Sequence, residues 1–254
     1  MKIALCLGGY LDSQKDKSSK GIKGFDYINK KIFKGNNVDV YIHSWDLINK
    51  SLIEDLYGER IRNSKFERQI DFSQVVEDNN LTCYPMHGTK FENILSQFYS
   101  VQESFRTLYQ YGENVNYDIV IKGRFDLGFI NRNQTSPWIS LYSQMRGNGK
   151  IYPVQCINFD KSLDMKYIYF PRWAKNRIED EGFNDMWYYS NNTNMKKFTT
   201  FYDFVKLNIN NNSDYIKWAG KNFGGPLNAI KILKYFLIQN ELFDNVKLLK
   251  TTWV

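Results

Sequence analysis

Apolar and polar positions alternate along this chain in two rhythms. Lys2 to Leu7 opens it with a nearly unbroken apolar run, the pattern of a strand buried on both faces of a parallel sheet. Phe25 to Phe33 then carries apolar residues at helical spacing and closes on Gly35. The polar tract before it, up to Lys23, reads as a loop. Val38 to Asp46 reads as a second strand, so a βαβ unit begins the chain. Residues 58–90 read as irregular, with a loose basic cluster of Arg60, Arg62, Lys65 and Arg68 and a short strand over Leu81–Tyr84. Phe91 to Tyr111 holds Ile94, Leu95, Phe98, Val101, Phe105 and Leu108 at a period near 3.6, the strongest helical signal in the sequence. A β-branched strand follows at 118–122.

The second half is less regular. Lys150–Pro153, Met165–Phe170 and the aromatic run Trp187–Ser190 read as strands. Met195–Val205 reads as a helix, and Leu227–Gln239 as another, announced by Gly224-Gly225-Pro226. Val246–Val254 reads as a closing strand or tail. Strands alternating with helices predict an α/β fold with a mostly parallel central sheet flanked by helices.

Ligands meet such sheets at the C-terminal ends of their strands, and those ends carry chemistry here. The first strand runs into Gly8-Gly9-Tyr10, where backbone can approach a phosphate. It is not a GxGxxG fingerprint. The second ends in His43, Trp45 and Asp46. Trp45 either stacks on a base or packs the core; Asp46 either contacts a ribose or caps the next helix. The strand at 118–122 ends in Lys122, Arg124 and Asp126, spaced so that an extended chain sends all three to one side. They suit a polyphosphate and a divalent metal, or else Arg124 and Asp126 simply pair with each other.

The 254 residues, 24% charged, suit one large α/β domain or two small ones. The formal charge of +7 favours an anionic ligand or an anionic membrane surface. The basic residues are dispersed, which argues against nucleic acid as a partner. Aromatic content of 17% suits sugar or base stacking as well as a core. Cys6, Cys83 and Cys156 are far apart and form no CxxC, which predicts free thiols in a reducing, cytoplasmic setting. No run reaches the length of a transmembrane span, so the expectation is a cytosolic protein, with peripheral contact as the one membrane association left open.

Five patches occur in an order that resembles a known family: Lys2–Leu7, DVYIHSWD at 39–46, SQFYSVQESFRTL at 96–108, YDIVIKGRFDLGF at 117–129 and FNDMWYYS at 183–190. The chain resembles GT-A-type glycosyltransferases of bacterial polysaccharide clusters and large DNA viruses, which use nucleotide-sugar donors. The resemblance implies a single GT-A-like, Rossmann-like domain. Residues 1–130 would form a nucleotide-sugar-binding half and 131–254 an acceptor-binding half. It implies Gly8, Gly9, Tyr10, His43, Trp45, Asp46, Lys122, Arg124 and Asp126 around the donor, with Tyr99 and Arg106 facing it from the long helix. The family's D-x-D metal motif falls on Arg124-Phe125-Asp126. A guanidinium therefore replaces the first acid, and Asp126 is left as ligand for manganese or magnesium. Asp185 is the implied catalytic base, which makes transfer to a surface or capsid glycan inverting; read locally, Asp185 is a turn cap. A nucleotidyltransferase and a non-catalytic carbohydrate-binding module are the alternative functions.

Overall fold

The computed structural model describes residues 1–11, 20–83, 90–111, 115–128, 156–172, 182–220 and 226–250. Seven strands among them form one sheet: β1 (Lys2–Gly9), β2 (Asn37–Ser44), β3 (Ile61–Phe66), β4 (Ile119–Arg124), β5 (Ile168–Pro171), β6 (Tyr188–Ser190) and β7 (Val246–Leu249). Their order across the sheet is β3-β2-β1-β4-β6-β5-β7. β6 is antiparallel to both its neighbours, and every other pairing is parallel. The mostly parallel α/β sheet expected from the sequence is what the structure has, and strands from both halves of the chain share it.

Period-two alternation divides β1 between two cores. Ile3, Leu5 and Leu7 face a layer that includes Ile28, Ile32, Ile53 and Tyr57. That layer comes from α1 (Lys20–Ile28), a π-helical turn at Asn29–Phe33, and α2 (Lys50–Tyr57). Ala4 and Cys6 face the opposite core, with Gly8 next in the same alternation. These small side chains let α4 (Phe91–Tyr111) lie close over β1. Beyond α4 pack α5 (Asn192–Lys196), α6 (Phe201–Asn208), α7 (Asp214–Gly220) and α8 (Ala229–Gln239). Phe198, Phe201 and Phe236 join them in contacts of 4.6–5.9 Å between ring centres. Helices thus cover both faces of the sheet. No helix among the described residues is long and apolar enough to cross a membrane.

Several expected boundaries move, each for a packing reason. α1 starts at Lys20, inside the tract expected to be a loop. Its two glycines are contact points rather than breakers: a Cβ on Gly24 would lie 1.8 Å from the Phe125 carbonyl oxygen, and one on Gly21 would strike Leu11. Residues 58–90 contain β3 and α3 (Ser73–Asp78), both absent from the sequence reading. β3 is an edge strand with a half-buried, polar sequence, so it lacks the apolar run that marks its neighbours. Leu81–Cys83 is a 3-10 turn, not a strand. The helix expected at Met195–Val205 is α5, a 3-10 turn at Lys197–Thr200 and α6 in succession. α7 replaces chain that carried no clear signal. The strand expected at Lys150–Pro153 lies outside the described residues.

Candidate functional site

The order β3-β2-β1-β4 reverses direction at β1: the chain moves outward from β1 to β2 and β3, then returns to add β4 on the other side. Loops leaving β1 and β4 therefore diverge and leave a crevice at their C-terminal ends. A cleft of about 300 Å3 occupies this place. β1 and its loop contribute Gly8, Gly9, Tyr10 and Leu11, and β4 contributes Lys122, Arg124, Phe125 and Asp126. Trp45 closes one side, and Ser96, Gln97 and Ser100 of α4 close another. Lys20 at the start of α1 adds a third cation.

The floor is charged, with Lys122 buried and Arg124 and Asp126 half-buried. Lys122 is fully buried, and its ammonium donates to the carbonyl of Asp185 and to that of Met186, 3.5 Å away. Burial pushes its pKa down to about 8, against the pull of the Asp185 carboxylate. Arg124 and Asp126 form a bidentate pair, with Nε–Oδ1 and Nη2–Oδ2 both at 2.9 Å. Asp185 lies in the turn entering β6, and Gln97 of α4 donates to its carboxylate. Lys122, Arg124, Asp126 and Asp185 are within electrostatic reach of one another, two cations against two carboxylates.

This donor set does not by itself fit a divalent cation. Each Asp126 oxygen accepts one hydrogen bond from Arg124. Among the described residues, no three His, Cys, Asp or Glu side chains gather as metal ligands.

The cleft thus unites Gly8, Gly9, Tyr10, Trp45, Lys122, Arg124 and Asp126, with Asp185 attached through Gln97 and Lys122. Four residues expected around the donor stand elsewhere. His43 is fully buried behind Ser100, with Nδ1 2.7 Å from Ser100 Oγ and Nε2 2.9 Å from Glu67 Oε1. Asp46 is buried, and its carboxylate accepts from the backbone and side chain of Asn49. It caps a turn there, while Asn49 itself is the N-cap of α2. Tyr99 backs the wall instead of lining it: its ring stacks on Trp45 at 5.2 Å, and its hydroxyl accepts from Lys65. Arg106 lies six residues further along α4 than Ser100, about 9 Å away along the axis. Its guanidinium is drawn to Glu103, Asp203 and the Thr199 carbonyl. Sequence periodicity assigned Tyr99 and Arg106 to α4 without saying which neighbour each face meets.

Ser96, Gln97 and Ser100 escaped the sequence reading. They fall within the SQFYSVQESFRTL patch at 96–108, but nothing in it marked these three as lining residues. The expected loose basic cluster also disperses. Arg62 pairs with Asp39 at 2.6 Å, Lys65 bridges Glu67 and Glu103, and Arg60 lies over the Phe33 ring.

No protein-family model and no curated protein matches the sequence. Among solved structures, a glycosyltransferase involved in glycosylation of the major capsid of PBCV-1 aligns with 98% of this chain and 81% of its own. The TM-score is 0.39 and the identity 8%. Apo mouse xyloside xylosyltransferase 1 aligns with 98% of this chain and 84% of its own, at a TM-score of 0.45 and 11% identity. Likeness at this level leaves the chemistry to the residues themselves.

Proposed function

We propose that the protein is a glycosyltransferase that moves a sugar from a nucleotide-sugar donor to a hydroxyl of a surface or capsid glycan. The observation that carries this reading is the position and charge of the cleft. It sits at the switch point of the sheet, where buried Lys122 and half-buried Arg124 line it together with half-buried Gly8 and Gly9. A donor diphosphate takes the place against Gly8-Gly9 and competes with Asp126 for the Arg124 fork. Tyr10 offers exposed aromatic surface to the nucleoside, and Trp45, packed in the core against Tyr99, backs that side of the cleft.

Transfer needs a stabilised leaving diphosphate and an acceptor hydroxyl relieved of its proton. Lys122 and Arg124 meet the first need. Asp185 meets the second: its carboxylate accepts the hydroxyl proton as the acceptor oxygen attacks the anomeric carbon opposite the departing diphosphate, and the configuration inverts. Gln97 orients that carboxylate, and Lys122 holds the turn that carries it. Residues 1–130 then supply the donor side, and the half that follows supplies the acceptor side. No step is assigned to a metal, because the donor set does not build a site for one.

A thermal-shift screen of the whole chain against nucleoside diphosphates and nucleotide-sugars, with manganese and with EDTA, tests this reading. A rise in Tm with one nucleotide family, in both conditions, is the expected result. No shift with any nucleotide would move the assignment to a carbohydrate-binding module. Asp185→Asn should abolish transfer and leave donor affinity within about twofold; retained turnover would remove Asp185 as the base.

A further inference from the structure

Behind the α4 wall of the cleft, Ser100, His43 and Glu67 are joined in series. Their protons can be placed from the geometry. Glu67 Oε1 lies 2.9 Å from His43 Nε2 and 3.1 Å from Lys65 Nζ. An ionised carboxylate only accepts, so the proton between Glu67 and His43 sits on Nε2. Burial opposes ionisation of Glu67, but hydrogen bonds from His43 and Lys65 hold its carboxyl below the ordinary value. Burial likewise lowers the pKa of His43, against the pull of Glu67, so the imidazole is neutral near pH 7. A neutral ring protonated at Nε2 leaves Nδ1 as an acceptor. The 2.7 Å contact is therefore the Ser100 hydroxyl donating to Nδ1. Its proton is committed inward, and the remaining capacity of the oxygen is to accept.

Ser100 also has a definite place between the cleft's two ends. A Cβ on Gly8 would sit 2.9 Å from Ser100 Oγ, and His43, its other neighbour, lies against Trp45 with ring centres 4.6 Å apart. A nucleotide with its base near Trp45 and its phosphates over Gly8-Gly9 sets its ribose beside Ser100.

We infer that Ser100 is a specificity-determining residue: its oxygen, oriented by His43 and Glu67, accepts a hydrogen bond from a ribose hydroxyl of the bound nucleotide. The inference rests on the nucleotide-sugar reading above and adds to it a preference for ribose over deoxyribose.

The test is calorimetric titration of the whole chain, wild type and Ser100→Ala, with ADP, GDP, UDP and CDP and with their 2′-deoxy and 3′-deoxy counterparts. The wild type should bind the ribonucleotide about tenfold more tightly than one of the deoxy forms. Ser100→Ala should bind the ribonucleotide at the deoxy level, with deoxy affinity unchanged. Equal wild-type affinity for ribo and both deoxy forms overturns the inference and leaves the nucleotide reading standing. So does full discrimination in Ser100→Ala. Failure of every nucleotide to bind overturns both. A second measurement reads the proton chain directly: imidazole 15N shifts in His87→Gln protein, where His43 is the one remaining histidine. A neutral ring with unprotonated Nδ1 is expected. A proton found on Nδ1 overturns the inference whatever the titrations give.

Discussion

Lys122 shows how much one buried charge governs. Its folded pKa of about 8 lies below the ordinary lysine value near 10.4. Between those values the unfolded chain binds more protons than the folded one, so this residue makes stability rise with pH across that window. The slope is at most ~1.4 kcal/mol per pH unit. Lys122→Met should flatten the rise in stability between pH 8 and 10, measured by chemical denaturation at successive pH values; an unchanged slope would mean Lys122 titrates normally. Gly8 is the second sensitive position. Its missing Cβ is the space that Ser100 Oγ borders at 2.9 Å. Gly8→Ala should cost ~1–3 kcal/mol by overpacking and weaken nucleotide binding as Ser100 shifts, read by Tm and by titration. Period two was enough to place Lys122 and Arg124 on one cleft from sequence; Asp126 joins them from the turn after β4, not from the strand. The period was not enough for His43, because a residue one step from a strand end turns toward ligand or toward helix according to what packs over it. The helix over His43 is sixty residues away in sequence.

Among the elements, α4 was legible to its ends because its apolar stripe spans the whole helix. The surroundings of its polar residues were not legible. Ser96, Ser100, Gln102 and Glu103 are buried, because α4 lies between the sheet and α6 with chain on nearly every side. α1 was only half legible, since Gly21 and Gly24 look like loop residues until the chain they touch is known. Gly24 sets the distance between α1 and the turn after β4. Gly24→Ala should therefore lower stability by ~1–3 kcal/mol, or more if the turn cannot move, and reduce diphosphate affinity by shifting Arg124 and Asp126. A variant that is destabilised yet binds normally would separate α1 from the site. Asn228 is a useful contrast: its side chain accepts from the Ile230 N–H at the start of α8. Asn228→Ala should cost ~0.5–2 kcal/mol in denaturant unfolding, with no change in nucleotide affinity. Altered affinity there would show that α8 couples to the cleft.

For the molecule as a whole, the α/β class was readable because β1 and the first half of β4 are apolar runs suited to a sheet covered on both faces, and helical periods alternate with the strands. The order of strands was not. β6 is three residues of Tyr and Ser, and nothing local says that it runs against β4 or lies between β4 and β5. Yet that placement brings Asp185 beside Lys122, and so joins a residue of the second half to a cleft built by the first.

The reversed strand also orders events in time. Lys122 pairs with Tyr188, so β4 waits for roughly sixty more residues before its open edge is covered. At ~5–20 residues per second of synthesis, that edge stays bare for several seconds on the ribosome. A nascent chain halted before β6 would carry the side of the cleft built by β1 and β4, with an unpaired strand edge beside it and no Asp185 across from it. Chains of that length should stick to one another through β4. The pairing that brings Asp185 to the cleft is thus also the one that covers the β4 edge.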